Sequence, residues 1–169
     1  VSNLGTTALL IALAVGIWGA LTGFVGARTG RTDLQQSSRH AVFALCLTLL
    51  VAVFCIEWLL FARDFNLEYV AAYTSRNLPT FYTWSAIYAG QKGSLLFWVT
   101  VLSIFGSLAM LLTAPRHRVY LPYVSAVVCV VAAFFLIVML GAANPFERLP
   151  YTPMDGRGMN PQLQNPGMV

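Results

Sequence analysis

The chain has 169 residues, of which 58% are hydrophobic and 9% charged, with a mean hydropathy of +0.71. A soluble domain carries about 25% charged residues, so an ordinary globular core is excluded and a membrane protein is implied. The net charge of +4 could serve nucleic acid in a soluble chain. Here the positive residues gather in short segments between apolar spans, where topology accounts for them, and no nucleic-acid partner is expected.

Segment one runs from Leu4 to about Phe24. It lacks the basic front end of a cleaved signal peptide. Gly5, Ala8, Ala12, Gly16, Gly19 and Gly23, with Gly26 beyond, recur every three or four residues and so share one helical face. Small residues let backbones approach closely in lipid, and the persistence of this row over several turns favours a helix–helix contact. Gly26 to His40 reads as a loop. Segment two spans Ala41 to Phe61. Residues 62–94 form a loop too long for a simple connector and too rich in Phe65, Leu67, Tyr69, Val70 and Tyr73 to be disordered. Phe65 to Tyr69 alternates apolar and polar residues, which predicts a short extended stretch. Asn77-Leu78-Pro79 reads as a turn, and Thr80 to Gly90 as a short helix lying on the membrane surface.

Segment three, Leu95 to Leu112, is entered through a collar of Phe81, Tyr82, Trp84, Tyr88, Phe97 and Trp98, with Gly90-Gln91-Lys92-Gly93-Ser94 at its lip. Ser94 is the expected N-cap. The loop with Arg116, His117 and Arg118 follows, then segment four over 121–143, with Pro122 near its start. Residues 144–169 interleave Pro145, Pro150, Pro153, Pro161 and Pro166 with Gly156, Gly158 and Gly167. Regular structure is excluded there. The expectation is an all-α polytopic membrane protein with four transmembrane helices over residues 1–143, a long outer loop, and an irregular tail leading to a further part. The chain is expected to be a fragment of a longer protein.

Basic residues mark the cytoplasmic side. Arg28, Arg31 and Arg39 in the first loop, and Arg116 and Arg118 in the third, place those loops inside. The N-terminus, loop 62–94 and the tail then lie outside.

Chemistry-bearing residues are few. Glu57 is the single acid inside a predicted span, where an ionisable group invites a functional reading. Near the outer end of segment two, with Arg63, Arg76 and Lys92 on the same side, it reads as a structural ion-pair anchor. His40 and His117 sit beside arginines at cytoplasmic edges and read as interfacial residues. Cys46, Cys55 and Cys129 all fall in apolar segments, and no CxxC or Cys/His cluster indicates a metal site or a disulfide framework. The glycine loop does not meet the Walker pattern, and no strand precedes it. Lys92 there reads as a partner for a lipid headgroup or a haem propionate. The aromatic collar reads first as an interfacial belt, although aromatic walls would also suit a flat porphyrin. No Ser/His/Asp or Cys/His nucleophile set is available.

Particular residues carry a family resemblance. Asp64-Phe65-Asn66-Leu67-Glu68-Tyr69-Val70-Ala71, Leu78-Pro79, Tyr82, Ala86, Gly90 and Gly93-Ser94-Leu95-Leu96-Phe97-Trp98 form one set. Asn144-Pro145-Phe146-Glu147-Arg148-Leu149 and Asp155-Gly156-Arg157-Gly158-Met159-Asn160-Pro161-Gln162-Leu163-Gln164-Asn165-Pro166 form the other. Together they resemble the pattern of the CcmF family of bacterial cytochrome c-type biogenesis proteins. The chain departs from that pattern at Tyr88, where the family has Trp, at Gln91-Lys92, where it has Glu, and near Tyr73, where a His is missing.

The resemblance implies the haem lyase component of cytochrome c maturation, in the bacterial inner membrane. Such a protein receives haem from a haem chaperone, works with other maturation subunits, and joins haem to the CxxCH thiols of apocytochrome c. The family's haem-ligating histidines and its WWD segment are expected beyond Val169, so no ligand is assigned here and this stretch alone is expected to be inactive. Tyr82, Trp84, Tyr88, Gly90, Gln91, Lys92, Gly93 and Trp98 are the expected platform residues for haem and apocytochrome. The competing expectation is a transporter or assembly subunit whose aromatics are only a belt. A transporter would show interrupted helices with polar groups at mid-membrane, and segments one, three and four show none.

Overall fold

The computed structural model describes residues 1–113 and 119–164, leaving aside the side chain of Gln162. The expected third loop with Arg116, His117 and Arg118 lies outside the described residues, as do Asn165, Pro166 and Gly167. Six α-helices are described: α1 (Ser2–Thr29), α2 (Thr32–Ala62), α3 (Glu68–Tyr73), α4 (Thr80–Ser85), α5 (Gln91–Leu112) and α6 (Leu121–Ala142). A 3-10 turn at Ala86–Tyr88 follows α4, and another occupies Pro161–Gln164. α1, α2, α5 and α6 are long and apolar enough to cross a membrane. The chain is a helical membrane protein.

α1 packs on α2 and α6, α5 packs on the same two, and α2 meets α6 across the middle. The small-residue face of α1 is buried from Gly5 to Gly26. A Cβ on Gly19 would stand 2.6 Å from Cys129 Sγ and 2.8 Å from Ala41 Cβ. The row is thus the seam along which α1 touches both neighbours. Leu45, Leu49, Ala52 and Ile56 of α2, Leu96 and Val99 of α5, and Ala132, Leu136 and Met139 of α6 fill the interior.

The first loop is shorter than expected. α1 ends at Gly30, whose φ of 68° is a left-handed conformation that glycine adopts without steric cost. α2 begins two residues later, well before Ala41. Three of the polar residues that lower hydropathy there are held in the helix by partners on α1. Gln35 Nε2 donates to the Gly26 carbonyl (3.0 Å), Trp18 Nε1 to Ser37 Oγ (3.0 Å), and Ser38 Oγ to the Gly19 carbonyl (2.8 Å). The expected extended stretch at 65–69 is also corrected. Leu67 makes one isolated antiparallel bridge with Arg148, and Glu68 already opens α3.

Candidate functional site: the aromatic entrance and the tail

Loop two and the tail meet at one end of the bundle and hydrogen-bond to each other along their length. Glu68 N donates to Glu147 O (3.0 Å) and Leu149 N to Asn66 O (2.8 Å). The last carbonyls of α3 would be orphaned in a free six-residue helix. Here Arg157 N donates to Ala71 O (2.7 Å) and Gly158 N to Thr74 O (3.0 Å). Asp155 Oδ1 accepts from the backbone N–H of Arg76 and of Gly156, both at 2.8 Å. Tyr82 Oη donates to Gln164 O at 2.7 Å. The Asn-Pro-Phe turn closes the bundle end. Asn144 Oδ1 accepts from Phe146 N (2.9 Å), the Phe146 ring lies on Gly5, and Arg148 Nη2 donates to Ser2 Oγ (2.6 Å).

Thr80 to Tyr88 is a short helix and turn, as expected. Ser94 is not the N-cap of α5: Gly90, extended at φ −132°, occupies that position. Ser94 N donates to Gly90 O inside the helix, and its hydroxyl donates to Tyr88 O at 2.9 Å. Gly90 and Gly93 are buried because two tyrosines of α3 lie on them. A Cβ on Gly90 would collide with the Tyr73 ring, and one on Gly93 with the Ile87 carbonyl and the Tyr69 hydroxyl. The two rings are 4.7 Å apart between centroids.

Lys92, expected to face a headgroup or a propionate, meets two carboxylates of its own chain. Its Nζ lies 2.7 Å from Glu68 Oε2 and 2.7 Å from Glu147 Oε2. One cation therefore ties α5, α3 and the tail. The hydrogen bond from Lys92 and then its charge hold the Glu147 carboxyl below the usual carboxylate range. A lowered folded-state value means that this tether contributes fully above the ordinary value of 4.5 and is lost as pH falls further. Because Glu147 is exposed, the contribution is modest. Acidification below pH 4.5 is expected to lower the hydrogen-exchange protection of Glu68 N and Leu149 N, relative to the intrinsic rate at each pH, more than in the spanning helices. In Lys92→Met that extra acid sensitivity should vanish. Equal acid sensitivity in both proteins would reject the tether.

The expected ion pair of Glu57 does not form among the described residues. Its Oε2 is buried without a hydrogen-bond partner. Lys92 is engaged as above, and Arg63 turns to the loop, donating to Leu78 O at 3.0 Å and to Arg76 O.

The remaining platform candidates divide by exposure. Trp84 (58%) and Trp98 (61%) project outward, while Tyr82 and Tyr88 are half-buried and Gln91 is exposed. Phe54, Trp58 and Phe61 of α2 are also exposed. Among the described residues no group of three His, Cys, Asp or Glu could hold a metal ion. His40 lies near the start of α2, at the far end of the bundle from this site. As a fit for haem, this end offers exposed aromatic surface and, among the described residues, no histidine.

No family model matches the chain. Cytochrome c-type biogenesis protein CcmF of Pseudomonas aeruginosa is 32% identical over 170 residues, which cover all of this chain and 26% of the relative. CcmF of Escherichia coli is 29% identical over 99% of this chain and 26% of its own length. A solved structure of the cytochrome c heme lyase CcmF matches with a TM-score of 0.78 at 30% identity, over 86% of this chain and 24% of that one. The chain belongs to the CcmF family. It spans about a quarter of the length of these curated CcmF relatives. The buried Tyr69 and half-buried Tyr73, and the acids Glu68 and Glu147 that hold Lys92, complete the entrance in this CcmF-type chain. Sequence reasoning missed those roles. The one available signal was the spacing of two tyrosines four residues apart, ahead of two glycines three apart.

Proposed function

We propose that this chain forms one wall of a membrane haem lyase for cytochrome c maturation, on the extracytoplasmic side of the bacterial inner membrane. Haem would be received from a haem chaperone and passed to apocytochrome c, in company with other maturation subunits. Trp84 and Trp98 would flank the haem or the apocytochrome segment as apolar faces. Tyr82, Tyr88, Gly90, Gln91, Lys92 and Gly93 would build and hold the entrance that presents them. Haem, when bound, supplies the vinyl groups that join the apocytochrome thiols, and its iron ligands would come from outside the described residues. The arginines Arg28, Arg31 and Arg39 around the α1–α2 connection support this orientation. The observation that carries the reading is the junction of loop two with the tail, which brings both family-like motifs to one end of the bundle.

The test is Trp84→Ala with Trp98→Ala in the full-length protein, scored as holocytochrome c yield at matched protein level. An aromatic contact is worth about 0.5–1.5 kcal/mol beyond its buried area. Losing two therefore predicts a fall on the order of tenfold. Unchanged yield would leave these tryptophans as a lipid belt.

A further inference from the structure

A cavity of about 440 Å³ opens at the opposite end of the bundle, lined by residues that include Thr32, Gln36, Arg39 and His40 of α2 and Met110, Leu121 and Pro122 of α5 and α6. None of its described lining residues is acidic. Among the described residues Arg39 Nε is buried without a hydrogen-bond partner, and the half-buried guanidinium lies over the Phe43 ring, 5.9 Å from its centroid. The nearest acid in sequence, Asp33, is taken by Arg31 at 2.6 Å. Ser107, one turn before Met110 on α5, also has a buried hydroxyl without a partner. Among the described residues the side chains of Thr32, Gln36 and His40 make no hydrogen bond. The other polar groups in the wall are spent: Gln35 Nε2 on Gly26 O, and the Ser125 hydroxyl on Ser38 and Pro122 O.

A buried guanidinium fraction without a counter-ion is costly unless an anion completes it. The first turns of α2 and α6 both border the cavity, and helix N-termini favour negative charge. Guanidinium, amide and hydroxyl donors together match the oxygens of a phosphate. The apolar part of the wall, Met110, Leu121 and Pro122, lies where spanning helices end, at the depth of lipid glycerol and headgroup. We propose that this cavity binds the phosphate of an anionic membrane lipid, with Arg39 as its anchor. The site is independent of the haem-lyase reading and lies at the other end of the bundle.

The test uses the purified full-length protein, delipidated in detergent, with native mass spectrometry reading bound dioleoylphosphatidylglycerol. Dioleoylphosphatidylcholine and inorganic phosphate serve as the comparison probes. The anionic lipid should be retained and phosphatidylcholine should not. Arg39→Gln should weaken retention about tenfold or more, the scale of one lost charge-assisted hydrogen bond. Gln36→Glu, at an exposed position, should do the same by placing an acid in the cavity, and it serves if Arg39→Gln fails to fold. Arg28→Gln, an exposed arginine of α1, should change nothing. Lipid retained equally by both cavity variants, or phosphatidylcholine bound as well as phosphatidylglycerol, overturns the proposal. Phosphate that binds alone and displaces the lipid overturns the lipid as the source.

Discussion

Gly93→Ala is expected to destabilise the protein by about 3 kcal/mol, at the upper end for overpacking a well-filled site. The added methyl has no flexible neighbour to displace. It would meet the Ile87 carbonyl, a backbone atom, and the Tyr69 hydroxyl, which is itself held by hydrogen bonds. Relief requires moving the first turn of α5 away from the 3-10 turn, which would also pull Lys92 from Glu68 and Glu147. Gly90→Ala should cost less, because its collision is with the far end of the Tyr73 side chain, and a ring can swing. Gly141→Ala is the control. Nothing lies within 4 Å of its would-be Cβ, and alanine is the better helix former by about 0.8–1.0 kcal/mol. Thermal unfolding in detergent should rank the three variants in that order. A Gly93→Ala protein as stable as wild type would mean that the glycines are not there for the tyrosines.

The parts legible in the sequence are those fixed by near neighbours. Hydropathy located the four spans, because leaving water depends on a run of twenty or so residues. Spacing located the α1 seam, because three- and four-residue steps return to one face. The proline and glycine content of the tail excluded regular structure, and its described residues show none beyond a 3-10 turn and one isolated bridge. What stayed hidden depends on partners far along the chain. The first nine residues of α2 look like a loop until Gly19 and Gly26 are seen to receive Ser38 and Gln35. Lys92 looks like a free cation until Glu68, 24 residues before it, and Glu147, 55 after it, are brought alongside. Glu57 read as paired because three cations were assigned to its side of the membrane. Arg63 is taken by two loop carbonyls and Lys92 by two other acids. The aromatic collar was legible as composition. Its division into outward Trp84 and Trp98 and half-buried Tyr82 and Tyr88 was not, because the register of each helix is set by what it packs on.

Tyr69→Phe removes a single oxygen and is expected to cost about 2–4 kcal/mol, the sum of a lost hydrogen bond and a buried donor left without a partner. Tyr69 is 1% exposed. Its hydroxyl lies 2.9 Å from the carbonyls of both Ala86 and Ile87, which share its one proton, and accepts from Gly90 N at 3.2 Å. Burial pushes the phenol's pKa upward, so it stays a neutral donor throughout the working range. Water cannot replace it, since Gly90 and Gly93 close directly on the ring. The variant should therefore loosen the turn from Ala86 to Gly90 first, seen as faster hydrogen exchange at Gly90 N than in α6. Combined with Gly93→Ala, the cost should fall short of the sum of the two singles, because both changes break one contact between α3 and the start of α5. Full additivity would show that hydroxyl and glycine act separately. The aromatic entrance would then be held by its tail contacts rather than by the tyrosine beneath it.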